Sequence, residues 1–115
     1  MKKRANYLTV TEFYRLNAAC VPLWRAFPDG LGVYLVGSVL TRSDYRDVDI
    51  RVIVEDVEFG GLFPGDGVNS AYWLLVNRSI SELLSKMTAL DVDFQVQSMT
   101  EANKDPGERC AIGIL

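Results

Sequence analysis

The segment that most constrains this chain is VYLVGSVLTRSDYRDVDIRVIV, from Val33 to Val54. It holds an apolar strand, a Gly-Ser step at Gly37-Ser38, a short polar connection, and a second strand that opens with two acids, Asp47 and Asp49. Side chains of a strand alternate between its two faces. Val48, Ile50, Val52 and Val54 therefore point one way, as a core face does, and Asp47, Asp49, Arg51 and Ile53 point the other. The preceding strand, Gly32–Val36, is almost wholly apolar and belongs in the centre of a sheet.

Two carboxylates on one face repel, and they stay ionised together only beside a counter-charge. Arg42, Arg46 and Arg51 are near enough in sequence to supply it as a salt bridge. A divalent cation is the stronger reading, because hard oxygen ligands suit Mg²⁺ and Mn²⁺. The run LDVDFQVQ repeats the pattern, with Val92, Phe94 and Val96 on one face and Asp91, Asp93, Gln95 and Gln97 on the other. If this strand lies beside the first, its acids join the same outer face. Folding alone gives no reason for such a cluster, whereas two Mg²⁺ ions roughly 3.5–4 Å apart on a triphosphate would explain it. Acids on a solvated outer face are the plainer account of Asp91 and Asp93 taken alone.

Gly37 ends the first strand where a residue without Cβ lets the backbone turn and approach a ligand. Ser38 adds a hydroxyl and an N–H, donors that favour phosphate oxygens at the start of a helical turn. An ordinary strand-to-helix turn accounts for the same two residues; what sets them apart is their place ahead of the acidic strands.

Together these residues resemble the nucleotidyltransferase superfamily of DNA polymerase beta. Its members show an apolar residue, Gly, then Gly or Ser, a connection, Asp-apolar-acid-apolar, and a third acid in a later apolar strand. Here those parts read Val36-Gly37-Ser38, Asp47-Val48-Asp49-Ile50 and Val92-Asp93-Phe94, covering about Gly32 to Gln97. The resemblance implies that Asp47 and Asp49 hold both metals and that Asp93 holds the one that activates the acceptor hydroxyl. It also implies that Gly37 and Ser38 bind the β- and γ-phosphates. Eight residues separate Ser38 from Asp47, slightly fewer than usual. Arg42, with Arg46 as competitor, is the expected triphosphate contact, and Asp91 competes with Asp93 as third acid. Asp93 is preferred because Val92 and Phe94 flank it deeper in the strand.

At 115 residues the chain is expected to be one domain, spanning residues 1–115, with one core. It has no histidine, which excludes His-based acid–base chemistry, histidine metal sites and a Ser-His-Asp triad. Metal-assisted phosphoryl transfer survives that exclusion. The net charge of −3 argues against nucleic acid as the main partner, despite a small basic start at Lys2, Lys3 and Arg4. No run of eighteen apolar residues marks a membrane span. MKKRANYLTV lacks the apolar core of a secretory signal, so the expected location is cytoplasmic. Cys20 and Cys110 form no metal-spaced motif, and Cys20 falls in an apolar helical pattern that packs it inside.

The rest of the chain frames this segment. Thr9 and Glu12 form a capping-box pattern for a first helix whose apolar positions are Val10, Phe13, Leu16, Cys20, Leu23, Trp24 and Phe27. Pro22 is expected to kink that helix or end its regular part. Phe27 to Gly32, with Pro28, Asp29 and Gly30, reads as a turn. EDVEFGGLFPGDGVNS, residues 55–70, reads as a long loop that either joins strand to helix or closes over a nucleotide base with Phe59 or Phe63 stacking. Ser70 caps a second helix whose stripe of Val76, Ile80, Leu83 and Met87 is expected to face the core. Its polar side is Ser79, Ser81, Glu82, Ser85 and Lys86. Lys104 to Glu108 reads as a turn, and Ala111–Leu115 as an edge strand, a core segment or an interface.

The expected fold is α/β: a small mixed sheet with the two helices packed on one face and the acids on the other, the nucleotidyltransferase fold. The chain has no room for the second domain of larger members, so the resemblance is to the minimal nucleotidyltransferases, which work with a helical HEPN-type partner protein or as homo-oligomers. The implied activity is Mg²⁺- or Mn²⁺-dependent transfer of a nucleotide from an NTP substrate to an acceptor hydroxyl on a small molecule, a protein or an RNA end. The alternative is a catalytically silent binding or regulatory module with the same fold.

Overall fold

The computed structural model describes residues 5–27, 30–65 and 70–114. Lys2, Lys3, Arg4, Pro28, Asp29, the 66–69 part of the expected loop, and Leu115 lie outside the described residues. The elements follow the order α1 (Val10–Ala26), β1 (Gly32–Val36), a 3-10 turn (Gly37–Leu40), β2 (Val48–Val54), α2 (Asp56–Leu62), α3 (Ala71–Thr88), β3 (Val92–Ser98), α4 (Met99–Ala102) and β4 (Cys110–Ala111). The four strands form one mixed sheet in the order β3-β2-β1-β4. β2 runs antiparallel to β1 and parallel to β3, and β4 pairs antiparallel with β1 at the far edge. This is an α/β architecture with a mixed sheet; of the segment read as an edge strand, a core segment or an interface, only Ala111 falls in β4, while Ile112 is buried in the core cluster.

Alternation sets the two faces. Val33, Leu35, Val48, Ile50, Val52, Val54, Phe94 and Val96 are buried on one side in a single cluster with Leu16, Ala19, Cys20 and Leu23 of α1. Burial pushes the Cys20 thiol up to about 12, as a packed and inert sulfur should behave. α1 opens with the capping box foreseen for it: the Glu12 N–H donates to Thr9 Oγ1 at 3.1 Å and the Thr9 N–H to Glu12 Oε1 at 2.8 Å. Pro22 does not end the helix, which runs on to Ala26. Pro22 and Ala18 are exposed, so the carbonyl that the missing N–H leaves free faces water.

Three expectations are corrected. The segment read as a loop contains α2, with Asp56 and Glu58 in its first turn and Phe59 buried. Its aromatics point inward: Phe59 and Phe63 lie in the core cluster with rings 5.1 Å apart, so neither is free to stack on a base. Apolar burial outweighs the cost of Gly60-Gly61, about 1 kcal/mol per helical glycine. The stripe assigned to the core on α3 is only half correct: Val76 and Ile80 pack against the cluster, but Leu83 and Met87 are exposed. The outer face of the sheet is not wholly open either, since Ile53 is buried there beside Gln97, Ala102 and Arg109.

α3 instead turns a polar stripe to the free edge of β3. The N–H groups of Val92, Phe94 and Val96 point away from β2 and donate to Ser85 Oγ (2.9 Å), Ser81 Oγ (2.8 Å) and Asn77 Oδ1 (3.1 Å). Trp73 Nε1 donates to the Val96 carbonyl at 2.9 Å. These four residues recur every fourth position, so they share one helix face. That face does for β3 what a neighbouring strand would do. Among the described residues, no helix is long and apolar enough to cross a membrane.

Candidate active site

The register brings the acids together. Val36, Asp49 and Asp93 are Cα partners across β1, β2 and β3, on the face opposite the core. Tyr34, Arg51 and Gln95 form the next row. Asp47 is exposed one position before β2, and Asp91 is exposed before β3, where its carbonyl accepts from the Val48 N–H at 2.8 Å. Of the two candidates for third acid, Asp93 is the one beside Asp49.

Gly37 is dictated by this row. Its φ is +81°, a conformation that L side chains rarely adopt, and a Cβ there would strike the Asp49 carboxylate. The glycine therefore both turns the chain and lets an acid sit against the backbone. Ser38 follows in the 3-10 turn, its carbonyl accepting from the N–H groups of Thr41 (3.0 Å) and Arg42 (2.8 Å). Its hydroxyl makes no hydrogen bond among the described residues.

Arg51 is the resident counter-charge. Its Nη2 lies 3.7 Å from Asp49 Oδ1 and 3.7 Å from Asp93 Oδ2. Those distances exceed the 2.7–2.9 Å or so of a charge-assisted hydrogen bond. What fixes the guanidinium is backbone: Nη1 donates to the carbonyls of Ile50 (3.0 Å) and Asp93 (2.8 Å). Arg51 offsets the acids without saturating their oxygens. Burial raises the Asp49 carboxyl above its ordinary value; Arg51 opposes that shift, and Asp93 and Asp47 add to it.

This donor set bears on a divalent cation. The oxygens are all carboxylate, half-solvated and under-neutralised, which is the chemistry that Mg²⁺ or Mn²⁺ requires. Asp49 and Asp93, with Asp47 at the strand entrance, are the residues that would hold one. Among the described residues, however, no three acids stand close enough together to form a ligand group, and Arg51 reaches in between Asp49 and Asp93.

Two clefts flank the row and divide the expected site residues. The larger, about 540 Å³, runs between β3 and α3, with Asp47, Asp91 and Asp93 on one wall and Trp73, Asn77 and Arg78 on the other. The smaller, about 140 Å³, lies over the outer sheet face and takes in Gly37, Asp49, Arg51 and Arg109. Arg42 lines neither. It is exposed and held by Asp44 through two 2.9 Å hydrogen bonds, which raise its pKa and lower that of Asp44. Arg109 and Arg78 are the basic residues that the sequence did not single out. Arg109 is anchored by the Ala102 carbonyl (2.9 Å) and Asn103 Oδ1 (3.2 Å), and nothing local in the sequence signals its approach to Gly37. Arg78 carried only the signal of its place on α3. No family model, curated protein or solved structure matches this chain.

Proposed function

We propose that the chain is a minimal nucleotidyltransferase that transfers a nucleotide from an NTP to an acceptor hydroxyl and releases pyrophosphate. The observation that carries this reading is the pairing of Asp49 with Asp93 in register, with Gly37 packed against the Asp49 carboxylate. Such a row costs charge repulsion, and it holds the turn position at Gly37 to a residue without Cβ. A bound divalent cation would neutralise the triphosphate and the acceptor oxygen. Asp49 and Asp93 orient the reacting groups from adjacent strands, and Gly37 and Ser38 present backbone and hydroxyl donors to phosphate oxygens. Arg109, rather than Arg42, is the basic side chain in the cleft that contains Gly37. The larger cleft has the volume of a small-molecule site, and on this reading it admits the acceptor past Asp93.

Arg51 favours a second reading, a silent module in which the guanidinium takes the place of the cation. One titration separates the two. Mn²⁺ and ATP are titrated against the protein, against Asp49→Asn and against Arg51→Met, with α-labelled NTPs tested for transfer in a lysate. The enzyme reading requires metal-dependent ATP binding that Asp49→Asn abolishes, and movement of label to an acceptor. ATP binding that ignores Mn²⁺ in the native chain, with Mn²⁺ bound only by Arg51→Met, establishes the silent module.

A further inference from the structure

Among the described residues, Asn77 carries the one buried side-chain nitrogen or oxygen without a hydrogen-bond partner. The residue is 7% exposed; its Oδ1 accepts from the Val96 N–H at 3.1 Å, and its Nδ2 is left with nothing. An orphaned buried donor is rare in a native fold and calls for a group that completes it. Asn77 lines the cleft of about 540 Å³ between β3 and α3, so that group enters from the cleft. The two walls of the cleft carry opposite charges that do not meet. Arg78 follows Asn77 on α3, and Asp91 and Asp93 stand across from it at the entrance of β3. Neither Arg78 nor Asp91 has an ion-pair partner among the described residues, and Asp93 has Arg51 only at 3.7 Å. One helical turn before Asn77, the Trp73 ring is locked in the cleft wall, because its Nε1 donates to the Val96 carbonyl at 2.9 Å.

We propose that this cleft binds a small zwitterion of the amino-acid class, a free amino acid or a dipeptide with both termini uncapped. Its carboxylate takes the Asn77 Nδ2 donor together with the Arg78 guanidinium, a pairing of charged and neutral donors that suits carboxylate oxygens. Its ammonium takes the Asp91 and Asp93 carboxylates on the opposite wall. Its side chain lies against Trp73 and Leu74, which is 56% exposed, and that apolar surface favours an aromatic or large aliphatic residue. The charges choose the class. A simple cation would leave Asn77 and Arg78 unmet, and a simple anion would face the aspartates; only a molecule bearing both signs satisfies both walls. The volume is that of a small-molecule site. As the acceptor of the nucleotide transfer proposed above, this class rests on that reading; as a binding site it stands apart from it.

An NMR titration of the full chain, without metal or nucleotide, tests the site. The probes are phenylalanine, glycylphenylalanine, N-acetylphenylalanine, which lacks the ammonium, and phenylalaninamide, which lacks the carboxylate. No transfer is measured, so a failure here leaves the transferase reading standing, and loss of that reading leaves the site standing. At least one of the two zwitterions should shift the Trp73 Nε1 and Asn77 side-chain amide signals and saturate with a Kd of roughly millimolar or tighter. The capped probes should bind about tenfold more weakly. Arg78→Gln should weaken the zwitterions by about tenfold and leave phenylalaninamide unchanged; Asp91→Asn should weaken them as much and leave N-acetylphenylalanine unchanged. Both residues are exposed, and the backbone amide spectrum checks that each variant folds. Zwitterions that do not saturate below about 10 mM overturn the proposal. So do capped probes that bind as well as the zwitterions, or shifts that leave Trp73 and Asn77 untouched.

Discussion

Helices α1 and α3 have nearly the same length, 17 and 18 residues, yet α1 gives the fold an apolar stripe, whereas α3 adds a polar stripe beside its inward Leu84, Val76 and Ile80. α1 lies against the broad apolar face of the sheet and buries Leu16, Ala19, Cys20 and Leu23. α3 stands at an edge, where the neighbouring surface is a row of unpaired N–H groups, and it answers with Asn77, Ser81 and Ser85. What a helix packs against decides which of its stripes goes inside. A sheet face rewards area removed from water, whereas a strand edge rewards acceptors at the right repeat, because a buried N–H left without a partner costs about 1–3 kcal/mol.

The largest expected effect tests the two helices directly. Leu16→Ala in α1 opens a cavity in a fully buried site and should lower unfolding stability by about 2–5 kcal/mol. Leu83→Ala in α3, where the side chain is 57% exposed, should change it by no more than about 0.5 kcal/mol. Urea unfolding of both variants gives the answer. Comparable losses would mean that Leu83 is buried as Leu16 is, and the contrast would fail.

Next in size is Ser81→Ala. The Phe94 N–H would lose its 2.8 Å acceptor inside a residue with no exposure, at a cost of about 1–3 kcal/mol. Hydrogen exchange localises the effect: the Phe94 amide should lose protection while the α1 amides keep theirs relative to the global stability. Unchanged exchange at Phe94 would show that the edge is held by something other than the serine.

This contrast also explains which parts of the fold could be read in the sequence. The alternation of Val48 to Val54 and of Val92 to Val96 marked both strands and their faces, but a slip of two residues keeps the same faces, so the pairing of Asp49 with Asp93 rather than Asp91 came from the register of β2 with β3. Thr9 with Glu12, and Ser70 before Trp73, marked helix starts by local chemistry that needs no tertiary context. Periodicity showed that α3 has two stripes. It did not show which one goes inward, since that depends on meeting an edge rather than a face. α2 was hidden by Gly60-Gly61, a breaker pair carried by the burial of Phe59 and Phe63. At the site, Arg51 was legible as a residue on the acidic face, but its tether to the Asp93 carbonyl spans 42 positions of sequence separation. Arg109 reaches its cleft through the tail, with no local pattern to announce it.

A smaller effect probes β3 from the β2 side, where charge rather than hydrogen bonding sets the balance. Burial raises the Asp49 carboxyl, so the folded chain holds that proton more tightly than the unfolded chain does. Stability from this group is therefore greatest below the unfolded carboxylate range and falls as pH rises through the folded value. Asp49→Asn should make the metal-free protein more stable at neutral pH by up to about 1 kcal/mol, and the gain should fade on acidification. Thermal melts across that pH range check the sign. A variant less stable at neutral pH would mean that the attraction of Arg51 exceeds the cost of burying the charge.

The smallest expected change sharpens the account of α3 most closely. Asn77 is a mixed case: its Oδ1 accepts from Val96, but its Nδ2 is buried without a partner. Asn77→Leu removes the acceptor and orphans one N–H, and it also removes an unsatisfied donor and adds apolar volume against the core. The two penalties are of similar size and opposite sign, so the net change should lie within about 1 kcal/mol, well below that of Ser81→Ala. Asn77→Asp keeps an acceptor for Val96 but places a charge in a buried site, and should be the worse of the two. If Asn77→Leu instead costs as much as Ser81→Ala, the Nδ2 group must be satisfied in solution by water or ligand reaching in from the cleft beside Asp93. The polar stripe of α3 would then serve that groove as well as the strand edge.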